Sequence, residues 1–87
     1  MVPCFYILHS QKLGKYYLGA CTEIKRRLYE HNIGHSKFTS TGIPWTLVYS
    51  EEFIDLKDAK AREMKVKKMK SKKYIEELIE KGRASRL

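Results

Sequence analysis

A chain of 87 residues holds one small domain and leaves no room for a second globular unit. Its 43% hydrophobic and 32% charged residues are interspersed, which excludes a membrane-spanning run of about 20 apolar residues and suits a soluble fold. Eighteen Lys and Arg against ten Asp and Glu leave a formal net charge of +8, so the expected partner is a polyanion, with nucleic acid first.

The opening Met1-Val2-Pro3-Cys4 carries no basic region followed by an apolar stretch, so no signal peptide is expected and the expected compartment is the cytoplasm. Two cysteines, Cys4 and Cys21, fall far short of a disulfide scaffold and are expected as reduced thiols.

Cys4-Phe5-Tyr6-Ile7-Leu8-His9 is a short aromatic and β-branched run, which predicts a strand ending near His9. Lys15 to Gly19 reads the same way and is close enough to its predecessor to form an antiparallel hairpin. A loop over Ser10 to Leu13 would set Tyr6 opposite Tyr17, with both phenols on one face. Thr22 is the expected N-cap of a helix over Glu23 to Ile33 that Gly34 ends. Gly34 to Pro44 is rich in Gly, Ser and Thr without a period and reads as an exposed loop carrying His35, Lys37 and Phe38. Trp45 to Ser50 returns to strand character. A longer helix starts at Asp55 or Asp58 and runs to about Lys70, and Ser71 caps a last one over Tyr74 to Lys81. The order β-β-α-β-α-α describes an α+β domain over residues 1–81, a small three-stranded antiparallel sheet flanked by helices, with residues 82–87 as a frayed tail.

On a helical wheel of about 100° per residue, Leu56, Ala59 and Val66 make one apolar stripe, and Glu63 falls inside it. A carboxylate on such a row needs a partner, because an uncompensated buried charge is strongly unfavourable. The plain explanation is that Lys67 or Arg62 folds over it, or that the helix is rotated and Glu63 sits at the edge of the stripe. In the first helix, Ile24 and Leu28 mark the buried row, with Arg27 and His31 beside it. Each alone reads as a solvated basic edge. Together, two tyrosines, an arginine, an imidazole and a carboxylate facing one sheet surface are the tools of phosphodiester hydrolysis. Such a reaction needs an activated water, neutralised phosphoryl oxygens and a stabilised leaving alkoxide. Glu63 suits a hard cation, Mg²⁺ or Mn²⁺, bound through one carboxylate with water and phosphate around it.

Phe5-Tyr6-Ile7, then Tyr17-Leu18-Gly19, Arg26-Arg27, His31-Asn32 and Glu63 resemble, in order and spacing, the GIY-YIG endonuclease superfamily in its small stand-alone form. The resemblance extends from about Phe5 to Lys70. It implies that Tyr6 acts as general base or activates the water, that Tyr17 assists and contacts phosphate, and that Arg27 stabilises phosphoryl charge. It also implies Glu63 as the sole protein ligand of the metal and His31 near the nucleophile. Phe5 replaces the first motif glycine, Leu18 the motif isoleucine, and Cys21 stands where many relatives carry Thr or Ala.

From Lys60 to Lys73 the chain offers eight Lys and Arg against the single acid Glu63, a polyanion footprint. Lys60, Lys67, Lys70 and Lys73, with Lys37 from the loop, are the expected backbone contacts, and Phe38 and Trp45 are candidates for stacking on an unpaired base, with packing in the core an equal reading for Trp45. The leading expectation is a metal-dependent endonuclease cleaving DNA by single-step attack of water. The alternative is a nucleic-acid-binding module of the same fold that does not cut. A basic structural protein of a ribonucleoprotein particle would explain the charge but not Glu63.

Overall fold

The computed structural model describes residues 2–34 and 37–84, apart from the side chains of Phe38, Arg83 and Ala84, so the expectations placed on His35 and Phe38 lie outside the described residues. Its elements are β1 (Cys4–Ser10), β2 (Lys15–Cys21), α1 (Ile24–Asn32), α2 (Lys37–Ser40), β3 (Trp45–Glu52), α3 (Leu56–Met69) and α4 (Lys72–Ala84). The sheet order is β2-β1-β3, antiparallel throughout, which makes the expected α+β architecture with β2 and β3 as its two edges.

Being central, β1 is covered on both faces, and its unbroken apolar run follows from that. Phe5 and Ile7 join Leu18, Val66, Leu78 and Ile79 on the face covered by α3 and α4. Tyr6 and Leu8 join Cys4, Cys21 and Trp45 on the opposite face, where Ile24 and Leu28 of α1 close the layer. Cys4 and Cys21 oppose each other as free thiols 3.9 Å apart.

The hairpin register differs from the predicted one. The turn covers residues 11–14, not Ser10 to Leu13, so Tyr6 pairs with Gly19 and Tyr17 with Leu8. Gly14 supplies the reason: at φ +62° its backbone closes the turn, its N–H donating to Ser10 O at 2.8 Å while Leu13 N–H donates to Ser10 Oγ at 3.1 Å. The slip is two residues, an even number, so both phenols keep their shared face.

α1 begins one residue later than expected. Glu23, not Thr22, is its N-cap, and it makes no side-chain capping bond. Gly34 follows its end at φ +79°. The segment read as a plain loop contains α2, a single turn that places Thr39 inside the protein at 1% exposure. The last two helices are joined as expected, Ser71 Oγ accepting from Tyr74 N–H at 3.1 Å, and α4 continues to Ala84, three residues past Lys81. Lys70 between them adopts the left-handed conformation, φ 47° and ψ 39°.

Arg62 ties α3 to β3 through two parallel bonds to Glu51, Nε–Oε1 at 3.0 Å and Nη2–Oε2 at 3.2 Å, and the Tyr49 hydroxyl also donates to Glu51. At β3's outer edge, Asn32 does for Trp45 what a further strand would do. Its Oδ1 accepts from Trp45 N–H at 2.6 Å and its Nδ2 donates to Trp45 O at 3.1 Å. Among the described residues no helix is long and apolar enough to cross a membrane.

Candidate active site

Tyr6 projects from the central strand toward α1 and is 2% exposed. Its ring lies across its pairing partner Gly19, so close that a Cβ there would come within 2.6 Å of the Tyr6 Cζ. Glycine is therefore required by the phenol, not by the backbone of β2. With nothing in its way, the Tyr6 hydroxyl reaches over β2, the open edge of the sheet.

His31, from the last turn of α1, meets that hydroxyl with Nε2 at 3.4 Å. Its other nitrogen, Nδ1, shares a hydrogen bond with Thr39 Oγ1 at 3.0 Å, and the ring of Tyr17 stands edge-on to the imidazole with centroids 4.8 Å apart. Thr39 is held in turn by Trp45, whose Nε1–H donates to the Thr39 carbonyl at 2.7 Å. Trp45 itself is 5% exposed and packs in the core, the second of its two expected roles, and so is no platform for an unpaired base. His31 is likewise buried, not part of a solvated edge.

Arg27 lies on the exposed side of α1 with its side chain 48% accessible and a loose contact to Glu30 at 3.9 Å. With Arg26, Cys21 and Thr22 it borders a polar depression of about 340 Å³. Glu63 arrives from α3, across the sheet from α1, its side chain 19% accessible and its Oε2 accepting from Lys67 Nζ at 2.5 Å. The plain sequence explanation for this carboxylate, a lysine folded over it, holds.

The predicted residues thus do not share one sheet surface. The tyrosines, His31 and Arg27 belong to the α1 side and Glu63 to the α3 side, and they converge around the edge of β2 because α3 packs against that strand. The ionisation of Tyr6 registers the convergence. Burial pushes its pKa well above the ordinary phenol value, Tyr17 and Cys21 add to the rise, Arg27 opposes it and Glu63 reinforces it. Cys4 is pushed up to about 12, first by burial and then by Cys21, so it supplies no thiolate nucleophile near neutral pH.

Among the described residues no group of three or more His, Cys, Asp or Glu is placed to hold a metal ion. A hard cation that keeps most of its waters needs less. Glu63 offers an oxygen ligand beside the site, and its partner Lys67, 53% accessible, can turn away into solvent, so the donor chemistry fits one carboxylate-bound Mg²⁺ or Mn²⁺. Of the lysines singled out for backbone contact, Lys37, Lys60, Lys67, Lys70 and Lys73 are all exposed.

Sequence reasoning passed over Thr39 and gave Asn32 no role. A threonine among polar loop residues carries no mark of burial, and the Asn32 bonds run to a backbone that only the fold brings near.

This sheet, with two tyrosines on one face of its hairpin and the carboxylate on its long helix, defines a small nuclease-type domain, and the GIY-YIG catalytic domain matches residues 2–75. The chain belongs to the GIY-YIG family, a nuclease superfamily. A UPF0213 protein of Bacillus licheniformis is 37% identical over 82 residues, covering 90% of this chain and 84% of that one. A UPF0213 protein of Streptococcus pneumoniae is 34% identical over 76 residues, 86% of this chain and 76% of its own. One from Halobacterium salinarum is 39% identical over 57 residues, 64% and 74% respectively. No solved structure is a significant match.

Proposed function

We propose that this protein is a divalent-metal-dependent endonuclease that hydrolyses a phosphodiester bond in DNA by single-step attack of water. The observation that carries the reading is the Tyr6 phenol, laid across Gly19 of β2 with its hydroxyl 3.4 Å from His31 Nε2.

Thr39 fixes the imidazole through Nδ1, so with the proton on that nitrogen Nε2 is the acceptor facing Tyr6. A phenol with so high a pKa does not lose its proton beforehand. It acts as a relay, its O–H passing to His31 Nε2 as its oxygen takes a proton from the attacking water. The water oxygen bonds to phosphorus, the bond to the leaving sugar oxygen breaks, and that alkoxide is protonated from solvent. Arg27, accessible and only loosely paired, donates to the non-bridging oxygens as their charge grows. Tyr17 packs against the imidazole and is the second phosphate contact. Glu63 is the carboxylate that would hold the cation, whose chemistry here is neutralising phosphoryl and leaving-group charge. Exposed Lys37, Lys60, Lys70 and Lys73 supply sequence-independent attraction to the backbone.

The Glu63–Lys67 pair favours the second reading, a binding module whose acid is held by a lysine. Supercoiled and branched DNA incubated with Mg²⁺ or Mn²⁺ separates the two. Nicking by the native chain that disappears in Glu63→Ala and Arg27→Ala proteins supports the nuclease. Binding with no metal-dependent nicking makes it the module.

A further inference from the structure

Along the open edge of β2 a groove of about 360 Å³ lies between the hairpin and the α3–α4 junction. Tyr16, Leu18, Val66 and Ile75 give it an apolar floor, and Lys15, Lys67, Lys70 and Lys72 stand around that floor. Lys67 links the groove to the candidate site, lining the one and holding Glu63 of the other. At a strand rise of about 3.3 Å per residue, Gly19 to Gly14 spans about 16 Å. An extended unpaired strand of a few nucleotides covers that length.

Lys70 shows that charge at this lip is kept against backbone preference. It is the one non-glycine residue with positive φ among the described residues, at a helix end where glycine is the unstrained choice. Its neighbours Lys68, Lys72 and Lys73 add like charge at the same lip, which a polyanion neutralises.

The floor decides what kind of anion fits. Continuous duplex offers the groove phosphates alone and leaves the apolar floor wet. An unpaired strand brings base faces to Tyr16, whose ring is backed by His9 at a centroid distance of 4.9 Å, and phosphates to the lysines. We propose that this groove binds an unpaired nucleic-acid strand leading to the cleaved phosphate, so that cutting takes place beside a single-stranded stretch and not within continuous duplex. The proposal rests on the nuclease reading for the cut but not for the binding, and the two are measured apart.

Fluorescence anisotropy without divalent metal reads the groove, using a labelled oligothymidylate of about twelve nucleotides and a duplex of equal length. Lys70→Gly is expected to raise the thermal midpoint, since strain is removed, while weakening oligothymidylate binding about three- to tenfold and lowering the slope of log affinity against log salt by about 0.7. Tyr16→Leu is expected to weaken the single strand about fivefold or more and the duplex far less. Unchanged single-strand affinity in Lys70→Gly, a lowered midpoint, or an equal loss for duplex overturns the proposal. Glu63-dependent nicking with no groove effect leaves the nuclease reading standing alone. Groove effects without nicking leave the groove standing and remove the nuclease.

Discussion

Gly19 and Tyr6 act as a unit: one residue gives up its side chain so that the other can lie across the strand. Gly19→Ala places a methyl against the phenol ring, an overpacking expected to cost about 1–3 kcal/mol and to push the hydroxyl off His31. A lower thermal midpoint together with lost nicking checks it, and an unchanged midpoint would mean the ring moves aside freely. Tyr6→Phe keeps the packing and removes only the relay. Its nicking rate should fall at least about 100-fold. Its stability should change by no more than about 1.5 kcal/mol, the usual worth of one hydrogen bond, as read by urea unfolding. The buried acids also set a pH limit. Cys4 rises from 9.0 to about 12 and Tyr49 from 10.0 to about 12, each chiefly by burial, and Tyr6 rises with them. In the folded state these groups keep protons that the unfolded chain has released, so their contribution is complete below pH 9 and is lost as pH climbs toward 12. Denaturation midpoints at pH 8, 9.5 and 11 should fall in that order, and Tyr49→Phe should flatten the decline above pH 10.

Between elements, the hydrogen bonds of Asn32 to Trp45 join the end of α1 to the start of β3, and Trp45 in turn holds α2 through the Thr39 carbonyl. His31 is therefore aimed by three elements at once. Asn32→Leu leaves the Trp45 N–H and C=O without their partner, with an expected loss of about 1–3 kcal/mol in urea unfolding and a drop in nicking from the displaced imidazole. The sequence made the strands and the two long helices legible, because aromatic and β-branched runs, Ser71 and the apolar stripe of Leu56, Ala59 and Val66 are local signals. The turn at Lys37 to Ser40 left no such trace, since four residues give no period and its reason for forming is that Thr39 reaches His31. The hairpin register turned on which residue closed the turn, and Gly14 was the readable sign. For the site, Tyr6, Tyr17, Arg27, His31 and Glu63 are expected from the chain on one sheet surface, and no local signal tells that Glu63 comes from the opposite face.

Charge belongs to the whole molecule, and its placement decides how substrate arrives. Lys60 and Lys73 are exposed lysines near the two ends of the basic run and make no ion pair among those found in the described residues. Replacing both with glutamate removes two units each and takes the net charge from +8 to +4. On the nuclease reading these residues act before chemistry, by drawing the backbone toward the β2 edge, so the loss should fall on KM and leave kcat close to its native value. If each contacts one phosphate of duplex DNA, the slope of log affinity against log salt should become shallower by about 1.8. The difference between variant and native protein should then shrink as salt rises, because screening already suppresses in the native chain what the substitutions take away. Steady-state nicking at low and at high salt measures this, and an equal loss of kcat at both would mean that the two lysines reach the reacting phosphate itself.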